Sequence, residues 1–309
     1  MALAFLFPGQ GSQHAGMGAT LLEDPEVADL ARRCSDAAGL DLCHQLATAD
    51  DAELTLTTNA QPALLFMGIG LSLLLAREGV RPAAAAGHSV GEYTALCVAG
   101  AVRPEDAVRA VAERGRAMAE ASPPGESSMV AVLGIGSDAV QVALEGLDGV
   151  WPANFNTPTQ TVIGGTAAGL EQATARLEEA GARRVLPLKV AAAFHTPLMR
   201  PAGARLRQVL DGLRWDEPSV PVIANVDGEP YRDGASVPAS LERQLSSPVR
   251  WIESVRRLQD LGCDAFVEVG PKRALTGMLR ELAPGAPVSA LATRSDVEAY
   301  RAAGTSEGG

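Results

Sequence analysis

The amino-acid sequence predicts an α/β fold built from a large body and a smaller inserted subdomain. Short apolar runs typical of buried strands alternate with longer helical segments near both ends of the chain. Between residues 127 and 190 the order changes to β-α-β-β-α-β. One apolar run also leads directly into a glycine-flanked serine and continues as a helix.

The elements of the large body follow from these patterns. The apolar run 2–7 predicts a buried strand that ends in the small-residue loop 9–13. Thr58 lies three residues before Gln61, a capping-box spacing that indicates a helix start. The uncharged stretch 55–76 contains polar residues, a proline and glycines, so it predicts a buried core helix rather than a membrane span. Further helices are predicted at 24–38, 61–78, 104–121, 198–213 and 273–282, and strands at 83–86, 220–225 and 265–269.

The inserted unit has its own pattern, with strands at 129–133, 150–154, 160–164 and 185–190 and helices at 138–147 and 170–180. This order is that of a ferredoxin-like unit. The segment Ser122-Pro123-Pro124-Gly125 interrupts both helix and strand patterns, so we place a boundary there. We assign 1–124 and 193–300 to the large α/β body, 125–192 to the small ferredoxin-like subdomain and 301–309 to a disordered tail.

The composition indicates a folded protein without an affinity for polyanions. Hydrophobic residues form 47% and charged residues 20% of the 309 positions, which argues against disorder. The net charge of -11 disfavours nucleic-acid and anionic-membrane partners, because both need a basic face. The four cysteines include no CxxC pair, so neither a zinc site nor a disulfide framework is predicted. The apolar amino terminus lacks a basic leader, so we expect a cytoplasmic protein.

Ser89 is the candidate nucleophile because it lies in Gly87-His88-Ser89-Val90-Gly91, between a predicted strand and a predicted helix. A small-x-Ser-x-small turn holds the serine in a strained, exposed position. The helix start also supplies the Val90 amide to an oxyanion forming on a bound carbonyl. The alternative interpretation is a plain strand-to-helix turn, since this short motif also arises by chance in glycine-rich chains.

The general base is sought among only four histidines: His14, His44, His88 and His195. His88 adjoins Ser89 on a tight turn, so its side chain is expected to point away, and His44 lies on a polar stretch. His14 follows the glycine loop and remains possible. His195 follows an apolar run, where the end of a strand would present it to a site, although a packed structural role is the alternative.

Six motifs follow one another in order along the chain. They are Phe7-Pro8-Gly9-Gln10-Gly11-Ser12-Gln13, Gly87-His88-Ser89-Val90-Gly91-Glu92, Arg114-Gly115, Ala193-Phe194-His195, Gln244 with Pro248-Val249, and Glu268-Val269-Gly270-Pro271. The set resembles malonyl-coenzyme A:acyl carrier protein transacylases, including the free-standing acyltransferases of polyketide assembly lines, and the resemblance extends from Phe5 to about Leu291. It implies a hydrolase-like α/β body with a parallel sheet and a ferredoxin-like insertion.

The resemblance implies a catalytic dyad of Ser89 as nucleophile and His195 as general base. It also implies that the backbone carbonyl of Gln244 orients the imidazole, whereas the alternative for Gln244 is a surface glutamine at a helix end. The backbone amides of Gln10 and Val90 would form the oxyanion hole.

Arg114 matches the carboxylate-binding arginine of this family, and a guanidinium suits a free malonyl carboxylate because it donates two parallel hydrogen bonds. Its alternative is a solvated helix arginine. Gln61 is a possible substrate-site residue, and Asn156 in the small subdomain is a weaker candidate. Phe194 resembles the pattern of malonyl-selective enzymes, since its bulk would crowd a methyl branch, so we expect malonyl over methylmalonyl.

The implied reaction is ping-pong transfer of a malonyl group from malonyl-coenzyme A to the phosphopantetheine thiol of an acyl carrier protein, with no cofactor or metal. The resemblance also implies that the protein is a monomer. The alternatives are a hydrolase of carrier-bound thioesters, a transferase with another extender unit and a non-catalytic carrier-docking subunit. Fatty-acid and polyketide pathways both remain open. We expect an acidic carrier protein to meet cations bordering the cleft: Arg183, Arg184, Arg250, Lys272 and Arg273.

Overall fold

A computed structural model describes residues 2–121 and 125–306. Ten strands form two sheets. The strands are β1 (Leu3–Phe7), β2 (Ala84–Gly87), β3 (Ser127–Leu133), β4 (Val150–Thr157), β5 (Gln160–Thr166), β6 (Arg184–Pro187), β7 (Val222–Ile223), β8 (Val249–Arg250), β9 (Ala265–Val269) and β10 (Val288–Leu291).

The large sheet has the strand order β10-β9-β1-β2-β7, and all neighbouring strands pair in parallel. Strands of such a sheet are covered on both faces, which agrees with their near-continuous apolar sequence. The helices are α1 (Pro25–Ala38), α2 (Leu42–Ala47), α3 (Thr57–Arg77), α4 (Gly91–Val98), α5 (Pro104–Glu120), α6 (Ser137–Leu144), α7 (Ala167–Glu179), α8 (Arg200–Asp211), α9 (Val237–Leu245), α10 (Trp251–Asp260), α11 (Ala274–Leu282) and α12 (Arg294–Ser306).

Local signals in the sequence fix several helix ends. The Asp24 side chain accepts hydrogen bonds from the first turn of α1, and Gly39 ends that helix with φ 64°. Pro104 occupies the first turn of α5, where its missing N–H costs nothing. The predicted capping box at Thr58 is absent, because α3 begins at Thr57 rather than at 61, and its N-cap is Leu56, without a side-chain cap.

Helix α3 passes the length and apolarity test for a membrane span, but 83% of its most apolar window is buried inside the fold. It packs on the large sheet and on α5, so the uncharged stretch is a core helix as predicted. Its packing needs small residues: a Cβ on Gly68 would lie 2.5 Å from the Thr94 side chain of α4.

The small sheet has the order β6-β3-β5-β4-β8. Its first four strands are antiparallel neighbours, joined through α6 and α7, and they form the predicted ferredoxin-like arrangement. The fifth strand, β8, comes from the large body and pairs in parallel with β4. This strand ties the inserted subdomain to the body along one sheet edge.

Some predicted bounds differ from the structure. The strand expected at 185–190 ends at Pro187, and the strand expected at 220–225 is only Val222–Ile223. Residues 301–306, assigned to a disordered tail, continue helix α12, and 307–309 lie outside the described residues. Most of the predicted boundary at 122–125 also lies outside them.

Candidate active site

Ser89 lies on the turn between β2 and α4, with its backbone in the left-handed region at φ 55°. The turn is tight because the flanking glycines touch neighbouring backbone. A Cβ on Gly87 would lie 1.9 Å from the Gly91 backbone, and one on Gly91 would lie 2.1 Å from the Phe7 carbonyl oxygen. Only glycine fits at these two positions, and the resulting strain projects the serine side chain outward.

His195, which follows the inserted subdomain in the chain, contacts this serine. Its Nε2 lies 2.7 Å from Ser89 Oγ, and its Nδ1 lies 2.8 Å from the Gln244 carbonyl oxygen. Because a carbonyl can only accept, Nδ1 must carry the proton of the neutral ring. Nε2 is therefore the acceptor, and the serine hydroxyl donates to it. His195 also has a positive φ of 60°, so both members of the pair have strained backbone.

The surroundings keep the His195 imidazole neutral. Burial lowers its pKa to about 3, with the positive charge of Arg114 as the second cause, while the hydrogen bond to the Gln244 carbonyl opposes the shift. A neutral imidazole with a free Nε2 lone pair is the form needed to accept the proton of a hydroxyl.

Arg114 lies within the protein, fully buried on α5. Its guanidinium donates to Gln61 Oε1 at 2.6 Å, to Gln244 Oε1 at 2.9 Å and to Ser89 Oγ at 3.1 Å. It also lies 5.7 Å from the centre of the Tyr93 ring. Burial lowers its pKa. Tyr93 and the buried Glu92 oppose that shift. Among the described residues no carboxylate forms an ion pair with Arg114, so its direct hydrogen-bond partners are uncharged.

Gln61 and Gln10 connect the guanidinium to the loop after β1. Gln61 Nε2 lies 3.5 Å from Gln10 Oε1, and Gln10 Nε2 donates to Thr57 Oγ1 at 3.2 Å. The hydrogen bonds of the described chain include none from the amide N–H of Gln10 or Val90. These two amides are thus available to a ligand oxygen beside Ser89.

A buried carboxylate that the motif analysis left without a role lies behind the serine turn. Glu92 Oε2 accepts from Gln244 Nε2 at 2.6 Å and from the Asn225 backbone N–H at 3.1 Å, and Glu92 Oε1 accepts from the Tyr231 hydroxyl. Burial raises the pKa of Glu92 to about 7, and the hydrogen bonds to the carboxylate oppose that shift. The available signal was a single charged residue in the otherwise uncharged helix α4.

Asn225 is a second residue that sequence reasoning missed. Its Oδ1 accepts from the Ser89 N–H at 2.8 Å, and its Nδ2 donates to the Gly87 carbonyl oxygen at 2.7 Å. It therefore binds both sides of the strained turn. The signal was its position at the end of a predicted parallel strand, the sheet edge where α/β proteins place their sites.

Three candidates lie further from the reacting atoms. The His88 side chain turns away from Ser89, and its Nε2 donates to Asn156 Oδ1 at 2.9 Å while its ring packs against Trp251 at 5.5 Å between centres. Asn156 therefore links the small subdomain to the turn. Phe194 is 6% exposed and belongs to the main apolar core, without a hydrogen bond or ring contact to Ser89 among the described interactions.

The remaining histidines lie outside this arrangement. His14 contacts the Ala15 carbonyl oxygen at 3.0 Å, and His44 contacts Thr48 Oγ1 at 2.8 Å on an exposed surface. Within residues 2–121 and 125–306 no group of three or more His, Cys, Asp or Glu side chains could hold a metal ion.

None of the described cavities is lined by all five cations that were expected to border one cleft. Arg184 begins β6 and Arg250 ends β8, and these strands are the opposite edges of the small sheet. Arg250 is paired with Glu253 at 3.1 Å. Arg273 lines a cavity together with Asp296, whereas Lys272 lines another beside Gln10.

A parallel α/β sheet with a serine on a strand-to-helix turn, in hydrogen-bond contact with a neutral histidine, defines the class of serine-dependent acyl-transfer enzymes. The model of the acyl transferase domain matches residues 4–305. The chain belongs to this acyl transferase family.

Individual relatives agree with the family match. The chain is 42% identical over 286 residues to the malonyl CoA-acyl carrier protein transacylase of Bacillus subtilis, covering 91% of this chain and 90% of the relative. It is 40% identical over 293 residues to the protein of that name from Escherichia coli K12, covering 93% and 95%.

Solved structures of relatives have the same fold. The malonyl CoA-acyl carrier protein transacylase of Coxiella burnetii superposes with a TM-score of 0.93 at 35% identity, over 98% of this chain and 97% of the other. A malonyl-transacylase solved in complex with a type II polyketide synthase acyl carrier protein also gives 0.93 at 35% identity, over 98% and 100%. The predicted α/β fold class and the predicted resemblance are confirmed.

Proposed function

We propose that this acyltransferase moves a malonyl group from malonyl-coenzyme A to the phosphopantetheine thiol of an acyl carrier protein, through an ester on Ser89. The observation that carries the proposal is Arg114, a fully buried guanidinium that forms no ion pair within residues 2–121 and 125–306 and whose nitrogen lies 3.1 Å from Ser89 Oγ. An uncompensated buried charge costs several kcal/mol, and a substrate carboxylate would offset that cost. The relatives' names support the same substrate and acceptor.

The first half-reaction forms the acyl-enzyme. Ser89 Oγ attacks the thioester carbonyl carbon while its proton passes to His195 Nε2, 2.7 Å away. The carbonyl oxygen becomes an oxyanion that accepts from the Gln10 and Val90 amides. When the tetrahedral intermediate collapses, the C–S bond breaks and His195 returns the proton to the departing coenzyme A thiolate.

The second half-reaction repeats these steps with a new thiol. The phosphopantetheine thiol gives its proton to His195 and attacks the ester carbon, and the same two amides bind the oxyanion. The C–O bond to Ser89 then breaks, and the serine oxygen regains the proton from His195. Thioester and ester exchange without a change in oxidation state, so the proposed cycle needs no redox cofactor, and its proton transfers all pass through His195.

Arg114 would bind the free malonyl carboxylate through parallel hydrogen bonds and hold the acyl chain in one orientation. Gln61 and Gln244 orient the guanidinium, since each accepts from one of its terminal nitrogens. Phe194 directly precedes His195 in the chain, and on that basis we expect malonyl to react in preference to methylmalonyl, because the bulk of the ring would crowd a methyl branch. Equal rates of Ser89 acylation by the malonyl and methylmalonyl thioesters would contradict this selectivity.

The competing function is hydrolysis of carrier-bound thioesters, in which water replaces the second thiol. Arg114 favours a carboxyacyl group whichever nucleophile collects it, and the names of the relatives favour transfer to a carrier protein. The test is to incubate the enzyme with malonyl-coenzyme A and follow free malonate and carrier-bound malonate over time. We expect little free malonate until acceptor is added, followed by stoichiometric loading of the carrier. Rapid release of malonate without carrier would assign a hydrolase, and absence of any reaction would indicate a non-catalytic subunit.

We further propose that the protein acts as a cytoplasmic monomer. Both proposed half-reactions use residues of a single chain, which supports the monomer. Sedimentation velocity at micromolar concentration tests the monomer, and a concentration-dependent shift to a larger species would contradict it.

A further inference from the structure

The two lysines of this chain lie together beside the candidate active site. Lysine and arginine together number 26, yet only Lys189 and Lys272 are lysines. They are far apart in sequence, but both line one cavity of about 360 Å³. Gln10, whose amide is assigned to the oxyanion hole, lines the same cavity.

Four segments line this cavity; one is 51–55, between α2 and α3, and the other three lie next to the candidate site. The loop after β1 contributes Gln10, Gln13 and His14, the segment between β6 and His195 contributes Lys189, and the loop after β9 contributes Lys272. Each of these three segments also carries a motif of the candidate site or leads directly into one. The cavity therefore adjoins the reacting groups and is open to solvent through its exposed lysines.

The cavity carries an excess of positive charge. Lys272 Nζ donates to the Gln13 carbonyl oxygen at 2.9 Å, which leaves its charge uncompensated. Lys189 has no ion-pair or hydrogen-bond partner among the side chains of residues 2–121 and 125–306. One carboxylate, Asp51, also lines the cavity and already accepts from the Ala15 N–H at 2.9 Å. Two ammonium groups against one carboxylate give a local excess in a protein of net charge -11.

We propose that Lys189 and Lys272 bind the phosphate esters of the pantetheine thioester substrate, and that the principal source is coenzyme A. The inference rests on the proposed function. Lysine binds phosphate as a compact point charge with three donors, whereas the planar fork of arginine suits the carboxylate at Arg114. In this proposal arginine binds the carboxylate of the substrate and lysine binds its phosphates.

Electrostatics give a reason for such a site. A strongly acidic protein repels a polyanionic substrate, so a local positive region is needed to raise both its local concentration and its association rate. Phosphates also occur in the phosphodiester of a carrier-bound phosphopantetheine. The shared chemistry is a phosphate ester attached to pantetheine, and the two sources are separated by the half-reaction that responds.

The kinetic test compares a substrate with phosphates to one without them. For the double variant K189A/K272A we expect the ratio of kcat/KM for malonyl-coenzyme A to that for malonyl-pantetheine to fall about tenfold, the combined scale of two partly exposed ion contacts. K189R/K272R, which keeps both charges, is expected to retain most of the ratio. The matched control is R32A/R214A, which removes two exposed cations outside the cavity. A ratio equal to that of the wild type in K189A/K272A would overturn the assignment to coenzyme A.

The acceptor half-reaction identifies the source. A selective loss in acylation by malonyl-coenzyme A assigns the phosphates of coenzyme A. A selective loss in transfer to carrier protein, relative to transfer to free pantetheine, assigns the carrier phosphodiester instead. If neither half-reaction depends on phosphate, the inference is wrong even though transfer continues. If wild-type enzyme reacts with neither malonyl thioester, the proposed function has failed instead.

Amine footprinting gives a direct readout because this chain has so few amines. Wild-type protein is labelled with a limiting amine-specific acylating reagent in the presence of coenzyme A or pantetheine, and the modified peptides are quantified. We expect coenzyme A to protect Lys189 and Lys272 several-fold and pantetheine to leave them reactive, with the α-amine of the chain as internal reference. Equal labelling of both lysines with coenzyme A and with pantetheine would overturn the proposal.

Discussion

The carboxylate of Glu92 accepts a 2.6 Å hydrogen bond from the side-chain amide of Gln244. The backbone carbonyl of the same glutamine accepts from His195 Nδ1 at 2.8 Å. A buried acid on the helix that follows the nucleophile thus holds the residue that fixes the tautomer of the base. In the Ser-His-Asp triad a carboxylate accepts from His Nδ1 directly. Here the Gln244 carbonyl takes that position, and the Glu92 carboxylate binds the side chain of Gln244 instead.

Replacing Glu92 with glutamine tests this hydrogen-bond relay, which runs from Glu92 through Gln244 to His195. The new amide would face three donors with one acceptor oxygen, so at least one of Gln244, Asn225 and Tyr231 would lose its partner, at a cost of about 1–3 kcal/mol. We expect the rate of Ser89 acylation to fall about tenfold or more, with KM for malonyl-coenzyme A changing less than kcat. Rapid-quench measurement of coenzyme A release gives the rate, and E298Q on α12 is the exposed control. An unchanged acylation rate would exclude the relay.

The pH dependence of acylation separates two buried groups. The pKa of His195 is lowered to about 3, so its neutral form persists as pH falls from 8 towards 4 and gives no inflection near the ordinary histidine value. The pKa of Glu92 is raised to about 7, so its carboxyl gains a proton as pH falls through 7 and loses an acceptor site for Gln244. We expect kcat/KM to decline below pH 7 in the wild type. In Glu92→Gln that inflection is expected to disappear, and its persistence would assign it to another group.

Substituting Arg114 tests carboxylate recognition. We expect Arg114→Ala to lower kcat/KM for malonyl-coenzyme A about 100-fold or more, since a charge-assisted bidentate contact is lost. Acetyl-coenzyme A has no free carboxylate, so its kcat/KM should change much less, and the malonyl-to-acetyl ratio is the quantity to measure. R109A on the same helix is the exposed control. A parallel loss for both substrates would mean that Arg114 acts on the serine rather than on the substrate.

Asn225 is expected to stabilise the strained turn. Asn225→Ala removes the acceptor for the Ser89 N–H and the donor to the Gly87 carbonyl, so we expect unfolding free energy to fall by about 1–3 kcal/mol. Asn225→Asp keeps the acceptor but sets a buried carboxylate against the Gly87 carbonyl oxygen, so we expect a loss at least as large on urea unfolding. Equal stability of all three proteins would show that the turn holds its geometry without this side chain.

Much of the fold could be read from local pattern. The ferredoxin-like unit was predictable because its strands and helices alternate within about sixty residues and each has a clear period. Strand β7 was predicted too long because Asn225 leaves the sheet, where its side chain binds the turn and its N–H binds Glu92. These hydrogen bonds join Asn225 to residues more than 130 positions away in sequence, so no local pattern predicts them.

The candidate site was predictable to a different extent for each residue. Ser89 and His195 were identified through motifs, and the structure brings their side chains into contact. The position of Arg114 followed only from the ordered motifs, because a helix arginine between other arginines gives no sign of burial. Glu92 was visible in the motif, but its function depends on Gln244, Asn225 and Tyr231, whose convergence is a property of the folded chain alone.

The central claim is that Ser89 carries the malonyl group and His195 takes its proton. Peptide mapping by mass spectrometry after brief incubation with malonyl-coenzyme A tests it most directly, in wild type, S89A and H195A. We expect one malonyl ester on the peptide containing Ser89, no adduct in S89A, and adduct formation slowed about 1,000-fold or more in H195A. A malonyl adduct on another residue, or one that survives in S89A, would contradict the claim.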